Sequence, residues 1–249
     1  MTTIASAING LDGFMPIELS VVELCIVRDW IRDFYLNRIQ CECPQSVHYF
    51  SDIPTVEYHH HAELFNHSAM FPKTVRVFPP SPADVILRFN FMRRIRSEFI
   101  SNGLGCFIRD EEGFGWPNIT WRLVRPNCGD VGPMHADQWF ADIDGFKDPP
   151  GFKPIKVWIQ IYGSDKSGLL VVLGSHLTPN DYTVFERDGR KKPKWNGDES
   201  KVRTVIPPCN PGQGIIFNHN LLHRGIENTS DQTRVSIDFT VYVPEDKLQ

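Results

Sequence analysis

The fold is decided by the segment Lys156-Val157-Trp158-Ile159-Gln160-Ile161-Tyr162, which is rich in β-branched and aromatic residues. A run of this composition favours a buried strand. From about Cys106 onward, similar short segments follow one another, separated by Gly, Pro, Asn and Asp. Serial strands without helices between them predict a β-sandwich or a barrel. The other predicted strands are Ile119–Val124, Gly168–Leu173, Gly214–Asn218 and Arg234–Val243.

The N-terminal part of the chain has the spacing of helices instead. Apolar groups recur at helical intervals across residues 16–40, where Pro16 suits a first helical turn. A second helix is predicted from about Pro82 to Ile100, and a short one at Glu57–Leu64. These patterns predict a mainly β protein with flanking α structure in one domain, residues 1–249. Its mainly helical layer covers residues 1–105 and its β core residues 106–249.

Composition and charge exclude several classes of protein. The chain has 249 residues and a net charge of −4, which gives no electrostatic basis for binding nucleic acid or an anionic membrane surface. No run of about 18 apolar residues is present, so no membrane span is predicted. Six scattered cysteines predict reduced thiols in a cytoplasmic protein, and residues 1–7 lack the pattern of a signal peptide. No sequence feature specifies an oligomeric state.

A metal site is predicted from three residues that lie far apart in sequence. His135-Ala136-Asp137 follows a Gly-Pro turn, and residues i and i+2 of an extended segment project to the same side. His223, which follows the predicted strand Gly214–Asn218, supplies a second imidazole. Two imidazoles and one carboxylate occupy one face of an octahedron, a ligand set that suits Fe(II) and leaves three positions open. Two of these can take a bidentate 2-oxo acid, and the third can take O₂.

An anchor for the oxo acid is predicted at Arg234 and Ser236, which follow His223 in the sequence. The distal carboxylate of 2-oxoglutarate needs a planar, two-pronged cation, and Arg supplies one. Ser236 lies on the same strand face and adds a hydroxyl group. No single element is specific, but the ordered set predicts Fe(II), 2-oxoglutarate as co-substrate, and O₂.

With these motifs the sequence resembles the phytanoyl-CoA dioxygenase-like family of Fe(II)/2-oxoglutarate oxygenases. The resemblance spans about residues 119–243 and rests on the ligand set, Val157–Ile161, the turn Ser167–His176, and Pro211-Gly212-Gln213-Gly214 leading to Phe217. Leu173 stands where the family typically has Pro. The resemblance implies a double-stranded β-helix, the cupin-like jelly roll, with N-terminal helices packed outside. It also makes Trp158 a candidate for lining the oxoglutarate pocket.

Substrate contacts are predicted for residues that lie close to the predicted metal ligands or to Trp158. The candidates lie next to the ligand pair, on the preceding strand, or on the face of Trp158: Gln138, Trp139, Gln160 and His219. Alternation puts Arg122 and Arg125 on opposite faces of their strand. Either one can face the metal and bind 2-oxoglutarate or an anionic substrate, or both can lie outside the site. The polar stretch 178–203 predicts a long loop. It is either a mobile lid whose aromatic residues fold over the substrate or an excursion packed on the N-terminal helices.

Of three functions that fit these residues, one uses all of them. The full set predicts an oxidoreductase, a 2-oxoglutarate-dependent dioxygenase that hydroxylates a polar small molecule or secondary metabolite and releases succinate and CO₂. Desaturation or ring formation would use the same ligands. A cupin-type metal isomerase or ring-cleaving dioxygenase would not need Arg234. A non-catalytic jelly-roll binding module would not need three convergent ligands.

Overall fold

The structure is a computed structural model that describes residues 2–101, 103–187 and 189–248. Within these residues, antiparallel strands form a large sheet, a small sheet and a separate hairpin. The strands are β1 (Phe14–Glu18), β2 (Phe107–Ile108), β3 (Thr120–Val124), β4 (Phe152–Tyr162), β5 (Leu169–Val172), β6 (Tyr182–Arg187), β7 (Arg190–Trp195), β8 (Thr204–Val205), β9 (Gln213–Asn218), β10 (His223–Gly225) and β11 (Arg234–Pro244). The large sheet has the order β1-β9-β4-β11-β2, with β3 also paired to β11, and the small sheet has the order β10-β5-β8.

The large sheet has two different faces because side chains alternate along its long central strands. Val157, Ile159 and Ile237 lie on the outer face and are fully buried in one apolar cluster with the helices. Trp158 lies on the inner face and packs with Val171 of the small sheet in a second cluster. The two sheets therefore face one another, and the helices cover the outside of the large sheet.

Helices dominate the N-terminal part, and a further helix follows β3. None of the described helices combines the length and hydropathy that a membrane span requires. Thr55–Leu64, where the sequence predicts a short helix, forms a 3₁₀ helix. The α-helices are α1 (Ile4–Asn9), α2 (Val21–Glu42), α3 (Val47–Ser51), α4 (His67–Met70), α5 (Pro80–Ile86), α6 (Asn90–Glu98) and α7 (Asp137–Asp144).

The predicted start of the first helix is wrong, because Pro16 belongs to β1 at the edge of the large sheet. The helix α2 begins five residues later with a capping box. The Ser20 hydroxyl accepts from the backbone of Glu23, and the Glu23 carboxylate accepts from the backbone of Ser20. These bonds satisfy amide groups that the first helical turn leaves free, so they determine where the helix begins.

The second predicted helix is broken into α5 and α6. Phe89 separates them with an extended backbone conformation (φ −64°, ψ 156°) and a buried side chain. Glu23 stabilises the break from outside, since its carboxylate accepts from the backbone of Asn90 at 2.7 Å. A contact between distant segments therefore overrides helical spacing that runs across the break.

The stretch 178–203 is also not the long loop that its polar composition predicts. β6 and β7 pair along their length, from Tyr182 opposite Trp195 to Arg187 opposite Arg190. The backbone of Trp195 donates to Met134 at 2.8 Å, one residue before His135. This hairpin therefore packs beside the predicted metal ligands and not on the N-terminal helices.

Candidate active site

Two of the three predicted metal ligands face one another across a backbone bridge. The amide of His135 donates to the carbonyl of His223 at 3.0 Å, and the amide of His223 donates back at 2.8 Å. The two imidazole centroids are 4.5 Å apart. β10 holds His223 in the small sheet, where it lies opposite Val171. The bridge thereby joins the turn before α7 to the small sheet and places both rings on one side.

The hydrogen bonds of both imidazoles leave the same ring nitrogen free. Nδ1 of His135 lies 2.8 Å from the carbonyl of Pro133, and Nδ1 of His223 lies 2.9 Å from the carbonyl of Leu221. A carbonyl only accepts, so each Nδ1 carries the proton and each Nε2 presents a lone pair. Desolvation, and then the neighbouring His223, lower the pKa of His135 to about 4, so its ring stays neutral near pH 7. An imidazole that is oriented by its Nδ1 and offers Nε2 is what a metal ion requires.

Asp137 brings its carboxylate to the same point, although it does not lie in a strand. It is the first residue of α7, directly after Ala136 in extended conformation (φ −109°, ψ 144°). Its Oδ2 lies 3.6 Å from Nε2 of His223, and ligand atoms of the three residues lie within 4.8 Å of one another. That Oδ2 is buried and has no hydrogen-bond partner among the described residues. An unpartnered buried carboxylate is costly, and a cation between the three groups would relieve that cost.

Charged neighbours keep Asp137 ionised. Burial by itself raises the pKa of this carboxyl, but the ammonium of Lys156 and, in the acidic range where they are protonated, the three nearby histidines outweigh it and hold the pKa below its usual range. The carboxylate is therefore ionised and available as a metal ligand near neutral pH.

Arg234 is a buried cation with no acidic partner among the described residues. Its side chain is only 3% exposed, and its Nη1 donates to the carbonyls of Ser167 at 2.5 Å and Gly168 at 3.1 Å. Burial, and then the charge of Arg122, lower its pKa to about 10, so it remains charged near neutral pH. Gly163 makes room for it with a φ of 112°, since a Cβ there would lie 3.0 Å from the Arg234 backbone. A buried guanidinium without a counter-ion fits an anionic ligand.

The remaining cofactor candidates, Ser236 and Trp158, share the inner face with Arg234 and with Gln160, which the sequence predicts as a substrate contact. Ser236 and Gln160 lie opposite each other on β11 and β4, and both are fully buried. The Ser236 hydroxyl and Oε1 of Gln160 have no partner in the described chain, whereas Nε2 of Gln160 donates to the carbonyl of Ser164. Trp158 lies two residues from Gln160 and forms part of the apolar wall between the sheets. Free polar atoms beside Arg234 suit a ligand that carries oxygen acceptors and donors.

Three of the predicted substrate contacts lie in or against α7, the helix that begins at Asp137. His219 and Gln138 contact each other through Nδ1 and Oε1 at 3.3 Å, and both line a polar cleft. Trp139 stacks on Tyr182 of the hairpin, with ring centroids 4.6 Å apart. Trp139 therefore joins the hairpin to the ligand-bearing segment.

The structure decides between Arg122 and Arg125. Trp121 and Leu123 are buried in the helix-side cluster, so Arg122 on the alternate positions faces the cavity. Arg125 is paired with Asp130, its Nη2 lying 2.8 Å from Oδ1. Sequence reasoning missed Asp238, the partner of Arg122, and Lys156, which pairs with the second oxygen of the same carboxylate. Asp238 lies two residues after Ser236, and Lys156 lies two residues before Trp158. Strand alternation therefore places both on the inner face, and this is the sequence signal that could have found them.

Comparison with known proteins decides the family. The model of the phytanoyl-CoA dioxygenase family matches residues 88–236, more than half of the chain. The chain belongs to this family. It is thereby an oxidoreductase of the dioxygenase type that uses Fe(II), 2-oxoglutarate and O₂, as the sequence predicts. No curated protein sequence matches it.

Solved structures with the same fold confirm the predicted jelly roll. EctD from S. alaskensis, with 2-oxoglutarate and 5-hydroxyectoine, is 15% identical, with a TM-score of 0.60 over 99% of this chain and 77% of its own. EvdO2 from Micromonospora carbonacea var. aurantiaca is 14% identical, with a TM-score of 0.58 over 94% and 87%. The carbocyclase SnoK from nogalamycin biosynthesis is 14% identical, with a TM-score of 0.53 over 98% and 84%. At such low identity these likenesses establish the fold and not the substrate.

Proposed function

We propose that this family member hydroxylates an unactivated C–H bond of a polar small molecule and releases succinate and CO₂. One observation carries the proposal: ligand atoms of His135, Asp137 and His223 lie within 4.8 Å of one another on the cavity side that also holds the unpaired Arg234. When bound, iron and 2-oxoglutarate supply the oxidising power by coupling decarboxylation of the oxo acid to the use of O₂.

The residues of the chain have separate tasks in this proposal. His135, Asp137 and His223 hold the metal ion, and the carbonyls of Pro133 and Leu221 orient the two imidazoles. Arg234 and Ser236 bind the distal carboxylate of 2-oxoglutarate. Trp158 and Gln160 form the wall behind it, and burial of this wall excludes water from the reacting centre.

The substrate side has a polar character. Gln138 and His219 border a cleft that Asn218, Asn220 and Lys153 also line. Trp139 and Tyr182 close one side, and the hairpin is proposed to move as a lid when the substrate binds. The free thiols of all six cysteines fit a reducing compartment such as the cytoplasm.

The alternatives use less of the site. A cupin-type isomerase or a ring-cleaving dioxygenase would leave Arg234 buried without a counter-ion. A binding module would leave the Asp137 carboxylate unpartnered. Hydroxylation is preferred to halogenation because Asp137 keeps a carboxylate in the ligand set.

Anaerobic addition of Fe(II) and 2-oxoglutarate tests the cofactor assignment. The wild-type protein is expected to develop a weak visible charge-transfer band. Arg234→Gln is expected to need roughly 10- to 100-fold more 2-oxoglutarate for the same band, because a charge-assisted hydrogen bond contributes about 1.5–3 kcal/mol. Binding of the metal alone should change little.

The exposed Arg93 offers a matched control, since Arg93→Gln removes the same charge far from the cavity. Absence of the band in the wild-type protein would contradict the proposed function. An unchanged 2-oxoglutarate requirement in Arg234→Gln would move the anchor to Arg122. Mass spectrometry of the product formed under isotopically labelled O₂ then separates hydroxylation from desaturation.

A further inference from the structure

Arg122 combines an inner position with an unusually accessible side chain. It lies on the cavity face of β3, opposite Ser236 on β11. Its side chain is 49% exposed, whereas its partner Asp238 is 10% exposed. An inner-face side chain with that much accessible surface must border the space between the sheets. Arg122 therefore presents its charge to the cavity in which the substrate has to bind.

The salt bridge to Asp238 orients Arg122 through Nε and does not involve the two terminal nitrogens of the guanidinium. Nε of Arg122 donates to Oδ2 of Asp238 at 2.7 Å, which is its only hydrogen bond within the described chain. Nη1 and Nη2 have no such partner there. These two nitrogens form the parallel pair of donors that binds a carboxylate in two-pronged fashion. Asp238 thus fixes the guanidinium and leaves its binding edge open.

The local balance of charge favours an anion at this edge. The second oxygen of Asp238 lies 3.2 Å from Nζ of Lys156, so one carboxylate is shared by two cations. Asp238, and with it the more distant Asp137, raises the pKa of Arg122, which places Arg122 within electrostatic reach of the metal ligands. The single positive charge of the guanidinium matches a carboxylate better than a phosphate monoester, which carries about −1.5 to −2 at pH 7.

Further basic groups surround this part of the cavity. Nη1 of Arg76 donates to the carbonyl of Trp121, the residue before Arg122. Burial, and then Arg122, lower the pKa of Arg76 to about 10, and Arg190 of the hairpin adds to this effect. Arg76 and Arg122 are therefore two cations on neighbouring segments of the chain. Such a concentration of positive charge attracts an anionic substrate.

We propose that Arg122, oriented by Asp238, binds a carboxylate group of the primary substrate and so selects carboxylic acids for oxidation. This inference rests on the proposed function, because it assigns Arg234 to 2-oxoglutarate and leaves Arg122 for the substrate. The competing possibility is an ordinary salt bridge at a cavity wall. In that case Arg122 would contribute nothing to the choice of substrate.

The test uses the anaerobic enzyme loaded with Fe(II) and saturating 2-oxoglutarate. Cyclohexanecarboxylate, benzoate and naphthoate are titrated, each beside its primary amide, and binding is followed by the change in the charge-transfer band. We expect at least one acid to bind roughly tenfold more tightly than its amide, and Arg122→Gln to remove that difference. Arg122→Lys should keep part of it, because it retains the charge and loses the fork.

Two further measurements keep the test specific. The half-saturating concentration of 2-oxoglutarate should be unchanged in Arg122→Gln, and the thermal midpoint should stay close to wild type because Asp238 retains Lys156. Arg93→Gln serves again as the surface control. Equal binding of acids and amides, no binding of any acid, or weakened 2-oxoglutarate in Arg122→Gln would each overturn the inference while the band survives. Loss of the band in the wild-type protein would instead overturn the proposed function, and the inference with it.

Discussion

The two faces of the large sheet are made by the same strands and serve opposite purposes. On β11, Ile237 points outward into the helix-side cluster, while Ser236 and Asp238 on either side point into the cavity. The outer face is mainly apolar and closely packed, although the indole nitrogen of Trp121 on this face has no hydrogen-bond partner among the described residues. The inner face retains buried polar atoms without partners, such as the Ser236 hydroxyl. The comparison teaches that stability resides on one face, and that the other face keeps unsatisfied groups for ligands.

The largest expected effect comes from a substitution of a metal ligand in the cavity. Asp137→Asn should reduce 2-oxoglutarate turnover at least about a thousandfold, because it removes the one anionic ligand of the set. The fold should remain, since Oδ2 has no hydrogen bond to lose among the described residues. Succinate release and iron content of the purified variant measure this. Retained turnover with full iron content would show that the metal lies elsewhere.

The next largest effect is expected from a substitution on the outer face of β11. Ile237→Ala should lower the free energy of unfolding by about 2–5 kcal/mol, because it leaves a cavity in a fully buried site. Ser236→Ala is the matched inner-face variant and should change stability by less than about 1 kcal/mol while weakening 2-oxoglutarate binding. Urea unfolding and the charge-transfer titration check the pair. Equal stability losses in both variants would contradict the division of faces.

A smaller effect concerns the helical layer that covers the outer face. Burial, and then Arg125, lower the pKa of His67 to about 4, and its Nδ1 lies 3.0 Å from the Tyr58 hydroxyl. The unfolded chain therefore binds a proton that the folded chain resists. His67 contributes stability above its unfolded pKa of about 6.5, and this is lost as the pH falls toward 4.

Comparison of the wild-type protein with His67→Gln isolates this contribution. Between pH 6.5 and 4, the free energy of unfolding should fall by about 1–3 kcal/mol more in the wild-type protein than in the variant. Urea titrations at each pH measure the difference. Parallel pH profiles of the two proteins would show that His67 titrates normally in the folded state.

The smallest expected effect lies at the rim, where the hairpin meets α7. Tyr182→Ala removes the stack on Trp139 and should lower the local stability of the hairpin by about 0.5–1.5 kcal/mol. Amide hydrogen exchange across residues 180–200 should then become faster, with little change across β11. Lys194→Ala in the same hairpin is an exposed control. Unchanged exchange in Tyr182→Ala would indicate a fixed wall in place of a lid.

Local sequence patterns determined much of this protein. Each of the five strand segments read from composition, including Lys156–Tyr162 and Arg234–Val243, overlaps a strand of the structure. The His-x-Asp pair, the distal His and the Arg-x-Ser segment pointed to the metal and the oxo acid, because the chemistry of these ligands depends on residue type and order. The capping box at Ser20 and Glu23 is equally recognisable from the sequence, because it depends on two residue types at a fixed spacing.

Contacts between distant segments decided the rest, and residue spacing contains no record of them. β1 depends on pairing with β9, and the break before α6 depends on Glu23. The polar composition of β6 and β7 does not predict the hairpin. Its strands are held by Tyr182 and Trp195, which pack against the apolar cluster beside the metal ligands. Only the tertiary structure could place Arg122 in the cavity and Arg125 on Asp130, because strand alternation separates the two faces without telling which one the helices cover.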